Sequence, residues 1–167
     1  YGSYALTANT TAANNVAVGY QAGKSNTTGS ANTAVGSLAL DANTAGTELT
    51  AVGKSALSAS TGSYNTAMGS GAMSNTTTAT HNSAFGRIAL SLNTTGANNT
   101  AVGSRALYAT TTGANNTAVG YNALTANTTA SYNTGVGYGA LDANTTGAGG
   151  TALGFQALSG NSTGSDN

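Results

Sequence analysis

The chain has 167 residues and no net charge, with 24 Gly, no Pro, Cys or Trp, and only 5% charged residues, where a soluble domain has about 25%. No basic cluster is there to neutralise phosphates, so nucleic acid is not an expected partner. No apolar run approaches the roughly 20 residues that cross a bilayer, so no membrane insertion is expected either.

A chain without Pro or excess charge does not fit a disordered tract, and its order lies in its periodicity. The chain opens at Tyr1 rather than Met, as a processed product or part of something longer does. From there Gly recurs at Gly2, Gly19, Gly36, Gly53, Gly69, Gly86, Gly103, Gly120, Gly137 and Gly154, at 17-residue intervals except for 16 between Gly53 and Gly69. Three residues after each stands Ala, from Ala5 and Ala22 through Ala106 to Ala157, and the next residue is Leu or Met in every copy but that of Gly23. The unit reads N-T-A-V-G-x-x-A-L-x-A-N-T-T-G-x-N, seen for example from Asn99 onward.

A fixed period of this length means stacked coils. It predicts an all-β parallel β-solenoid or β-roll, one repeat domain over residues 1–167 with ten coils and no capping elements. Each coil is expected to hold two short strands and two turns. In the first strand Thr100 and Val102 point one way and Ala101 the other. With Val taken as inward, the core ladder is Val102, Leu107, Val119, Leu124, Val136 and Leu141. Val102→Asp would then bury a charge, whereas Arg105→Ser would leave the coil intact. Ala106-Leu107 opens the second strand, and Asn-Thr-Thr-Gly makes the second turn. The missing residue falls in Ser60-Thr61-Gly62, which marks that stretch as a turn, since turns tolerate deletion.

Stacking at about 4.8 Å gives a rod roughly 45–50 Å long. It also lines up Asn15, Asn32, Asn65, Asn82, Asn99, Asn116 and Asn133 as an amide ladder. Thr10, Thr27, Thr44, Thr61, Thr77, Thr94, Thr111, Thr128 and Thr145 form a hydroxyl ladder. One Leu and one Val per coil make a thin core, and the terminal coils carry open strand edges. Both features predict self-association, as a homotrimer or a head-to-tail filament.

At Asn99-Thr100-Ala101-Val102-Gly103 with Ala106 and Leu107, the sequence resembles the head repeats of YadA-like trimeric autotransporter adhesins. Similar repeats occur in phage tail-fibre proteins. The resemblance spans essentially the whole chain. It implies a left-handed parallel β-roll, three interlocked chains, and attachment at a bacterial surface. The family's unit is usually shorter and its strand more often reads S-V-A-I-G, to which Val16 comes nearer than the usual Thr.

No catalytic constellation can be assembled. Asp41 and Asp142 share a repeat position but lie six coils apart, roughly 29 Å, far beyond the about 5–10 Å of a glycosidase pair. Glu48 and His81 share another position two coils apart, and the same position holds Asn14, Ala31, Tyr64 and Gly149, as a free surface site does. One His cannot furnish a Ser-His-Asp set. No metal-ligand spacing and no phosphate loop is present, so neither an enzyme nor a cofactor is expected. Lys24, Lys54, Arg87 and Arg105 read as solvated or as contacts between chains.

Tyr121, Tyr138 and Phe155 follow Gly in three consecutive copies. They predict an aromatic ladder, either packed in an oligomer interface or open to sugar faces of a host surface or glycan. Sequons recur at Asn26, Asn93 and Asn127 because the repeat generates them. The leading reading is therefore an extracellular structural or adhesive fibre segment, a cell-surface adhesin head or filament subunit. The alternative is a phage tail-fibre shaft or receptor-binding segment. A third is an ice-binding solenoid, a class that uses alternating Thr on flat strands.

Overall fold

A computed structural model describes residues 2–167. Nine three-residue strands form one sheet: β1 Val16–Val18, β2 Thr33–Val35, β3 Thr50–Val52, β4 Thr66–Met68, β5 Ser83–Phe85, β6 Thr100–Val102, β7 Thr117–Val119, β8 Thr134–Val136 and β9 Thr151–Leu153. They pair in parallel and in chain order, from β1 at one edge to β9 at the other. Register is strict, with Thr100 beside Thr117, Ala101 beside Ala118 and Val102 beside Val119. The 16-residue interval leaves this undisturbed, because β3 still pairs Thr50 with Thr66. The lost residue is absorbed in the turn at Ser60-Thr61-Gly62, where the Thr61 and Gly62 amides both donate to the Thr77 carbonyl. The architecture is a parallel β-solenoid with one coil per 17-residue unit.

Two expectations need correction. The first is the second strand. Residues at Ala106-Leu107 and their equivalents form linked turns instead. Ala106 N donates to Gly103 O and Tyr108 N donates to Arg105 O, each bond spanning three residues. The third residue of each turn has positive φ, 62° at Arg105 and 52° at Leu107, as a type II turn requires. Stacking still ties this wall together: Leu107 N donates to Ala123 O at 3.0 Å, and Ala109 N to Thr125 O at 3.0 Å.

The second correction concerns which strand face is inside. Ala101 is 0% exposed and Val102 is 37% exposed. Every strand buries its middle residue and turns its first and third outward. Val102, Val119 and Val136 therefore leave the proposed core ladder, while Leu107, Leu124 and Leu141 stay in it, all fully buried. The cause is width. A single coil is thin, and Ala on the sheet wall leaves room for the Leu side chains of the turn wall, which fill the space between. Val-sized groups on both walls would overpack it.

Polar ladders close the coil at the sheet's other end. Asn99 is buried and two-faced. Its Nδ2 donates to the Gly113 carbonyl at 2.9 Å, and its Oδ1 accepts the Asn116 amide at 3.0 Å. The same pair of bonds recurs at Asn32, Asn82, Asn116 and Asn133. The amide ladder thus mainly cross-links side chain to backbone, with direct amide contacts at Asn65–Asn82 and Asn99–Asn116. Thr hydroxyls behave likewise. Thr94 Oγ1 donates to Thr111 O at 3.0 Å and Thr128 Oγ1 to Thr145 O at 3.1 Å.

A second buried Asn ladder runs through Asn26, Asn43, Asn93, Asn127 and Asn144. Each Nδ2 donates to the carbonyl three residues on, as Asn93 does to Gly96 at 2.8 Å. Ser60, Thr76 and Thr110 interrupt this ladder, and of these the buried Thr76 Oγ1 has no partner. Thr76→Asn should restore the bond to the Ala79 carbonyl, as Asn127 makes to Ala130. The expected gain is about 1 kcal/mol, read as a higher midpoint in thermal unfolding.

Candidate functional site

The rod carries its outward chemistry in parallel ladders. On the sheet face, Thr33, Thr50, Thr66, Ser83, Thr100, Thr117, Thr134 and Thr151 form one row, and Val18, Val35, Val52, Met68, Phe85, Val102, Val119, Val136 and Leu153 form the next. No charged residue stands in either row. In the Val row Val18, Met68, Phe85, Val102 and Leu153 are exposed and Val35, Val52, Val119 and Val136 are half-buried, so an apolar stripe runs the length of the sheet, more open at some strands than at others. In-register parallel pairing makes this stripe regular, because it repeats each side chain every coil, about 4.8 Å apart.

One corner of the rod, two residues after the Val row, reads Tyr20, Ser37, Lys54, Ser70, Arg87, Ser104, Tyr121, Tyr138 and Phe155 in successive coils. The expected aromatic ladder is present there. The Tyr121 and Tyr138 rings stack at 5.4 Å and 19°, and the Tyr138 and Phe155 rings at 5.3 Å and 18°. Stacking has a chemical consequence. The rings cover one another's faces, so within the stack they offer edges and hydroxyls rather than open faces.

Other pairings were visible only by comparing equal positions in neighbouring repeats. Tyr64 stacks on His81 at 4.9 Å and 22°. Glu48 and His81 are therefore separated by the intervening Tyr64 coil. Arg105 lies over the Tyr108 ring at 4.9 Å. No group of three or more His, Cys, Asp or Glu residues able to hold a metal ion is found among the described residues.

The sequons at Asn26, Asn93 and Asn127 are shut inside the coil. All three side chains are buried, and each Nδ2 is donated to a carbonyl three residues on.

Asp41 sits one coil after Lys24 at the same repeat position. Burial raises its carboxyl above the ordinary value of 3.8, with backbone hydrogen bonds and attraction from Lys24 working in the opposite direction. A raised acid binds more protons in the folded than in the unfolded chain, so its contribution to stability is fullest below the unfolded value and is lost as pH rises through the folded one. Asp41→Asn should therefore flatten the pH dependence of the melting midpoint above pH 3.8 and raise the midpoint slightly at neutral pH. Melting curves of both proteins across acid to neutral pH check this.

Compared with protein-family models, curated proteins and solved structures, the chain gives no match in any of the three. No helix among the described residues is long and apolar enough to cross a membrane.

Proposed function

We propose that this chain is an extracellular structural and adhesive fibre segment, whose rods pack side by side with other copies through the Thr/Val face. The observation that carries the reading is the continuous, uncharged apolar stripe on that face. Contiguous exposed apolar surface of this extent marks an interaction site. Its repeat selects the occupant. A partner that fills each row must itself repeat about every 4.8 Å over nine strands, a spacing that another copy of the same sheet supplies. The chain's zero net charge removes long-range repulsion between copies.

The test is negative-stain microscopy of the purified protein. Rods or filaments thicker than a single coil support the reading. Isolated single-coil particles at all concentrations contradict it.

Ice binding draws some support from the outward Thr row, which is an in-register array of hydroxyls along the sheet. Met68 and Phe85 argue against it. They stand in adjacent strands at the middle of the Val row, both exposed, and break the flat array that an ice lattice needs. A protein partner accommodates such bulk by local repacking. Thermal hysteresis in a freezing assay would reverse this preference.

A further inference from the structure

We infer that the corner beside the Thr/Val face binds an acidic polysaccharide, with one sugar seated over Ser104 between Arg87 and Tyr121. The inference rests on the adhesive reading above and names the class of surface the rod would attach to.

The geometry follows from the register. Phe85, Val102 and Val119 are paired in adjacent strands, so Arg87, Ser104 and Tyr121, each two residues further on, occupy the same corner in successive coils. Backbone bonds fix the corner just behind them. Arg105 N donates to Arg87 O at 3.1 Å, and Asn122 N donates to Ser104 O at 3.2 Å. Arg87 and Tyr121 are therefore about 9–10 Å apart along the rod, two coils at the strand spacing. Ser104 between them is too small to fill the gap.

Tyr121 differs from the rings that follow it. Tyr138 covers one of its faces, whereas its neighbour on the other side is Ser104. That second face has no aromatic cover and looks across the gap toward Arg87. It is the kind of surface on which a pyranose ring lies flat, with its C–H groups against the π-system. Arg87 is exposed and has no acidic partner among the described residues. Its guanidinium fork matches a carboxylate bidentately. A uronic acid stacked on Tyr121 would thus present its carboxylate to Arg87, with the Ser104 hydroxyl beneath.

A sugar lying on that face sends its glycosidic bonds across the rod, so a polymer crosses the corner there. Lys54 precedes Arg87 by two coils, about 9–10 Å, with Ser70 between, and it too has no acidic partner among the described residues. It adds a second cation to the same corner, open to a carboxylate of another segment of the polymer.

Binding of hyaluronan, which carries one carboxylate per disaccharide, tests this by surface plasmon resonance or calorimetry on the intact chain. Neutral dextran and polyglutamate serve as comparison polymers. Hyaluronan should bind most tightly and weaken as salt is raised. Arg87→Ala and Tyr121→Ala should each weaken it about 5- to 10-fold, as loss of roughly 1 kcal/mol does, while Lys24→Ala, whose residue lies off this corner, should not. Circular dichroism melts confirm that the variants fold. Absence of hyaluronan binding overturns the inference. So does equal binding of polyglutamate with no loss in Tyr121→Ala, which would reduce the corner to simple charge attraction. Neither outcome touches side-by-side packing, which microscopy reads separately.

Discussion

Gly103→Ala is expected to be among the most damaging single-methyl substitutions, as at the equivalent Gly120 and Gly137. Two causes add. Gly103 has φ of 130°, a conformation that residues with a Cβ rarely adopt. A Cβ there would also meet the Gly120 carbonyl oxygen at 2.5 Å and its carbon at 2.6 Å. These are backbone atoms of the next coil, held by the Gly120 N to Val102 O bond at 2.7 Å, and they cannot swing aside as a side-chain tip would. Relief requires the coils to part along one ladder. We expect a loss of about 4 kcal/mol, at the upper end for point mutants, and a melting midpoint lower by roughly 10–15 °C. Gly154→Ala separates the two causes. It has φ of 127° but no atom within 4 Å of the added Cβ, so it should cost markedly less. Equal midpoints for the two variants would show that the close approach of coils is not what demands glycine.

The second large effect is Ala101→Asp. Ala101 is wholly buried between the sheet and the turn wall. A carboxylate there has neither water nor a cation, and no charged residue is buried among the described residues. Breaking a core with an unpaired charge costs on the order of 3–5 kcal/mol or more. The expected result is loss of the cooperative melt at room temperature or just above it. Val102→Asp, one residue along, should cost the isolated coil about 1 kcal/mol or less, as surface substitutions do. The order of these two variants in thermal denaturation reads the strand's parity directly. The reverse order would put Val inside.

That parity is the most instructive miss from sequence. The period, the glycine corners and the Leu ladder were legible because they recur along the chain at one spacing, and the shortened turn because it breaks that spacing once. Which face of Thr-Ala-Val points inward was not legible from hydrophobicity, since Val is the more apolar residue and a three-residue strand alternates only once. The deciding signal was nearby. Asn99 must be inside for its amide to join Gly113 O and Asn116 N, and a residue two further along an extended strand shares its side. Reading the Asn ladder as buried would have placed Ala101 inward and Val102 outward. The turn wall was hidden for another reason. Leu107 has φ of 52°, a conformation that costs a residue with a Cβ roughly 1–2 kcal/mol locally and that only the stacking of coils sustains. Ala-Leu therefore reads as strand when taken alone. On the surface, the aromatic ladder followed from period alone, while the open face of Tyr121 required knowing that the rings stack on one another.

The apolar face binds these results to the proposed function, and sedimentation equilibrium measures it most directly. Wild-type chain and the double variant Val102→Asp/Val119→Asp are compared over a wide concentration range, with circular dichroism confirming the fold of each. The account predicts a wild type several times the 16.0 kDa chain mass and a folded double variant at or near the monomer. A wild type that stays monomeric throughout, or a double variant that assembles as the wild type does, would contradict it.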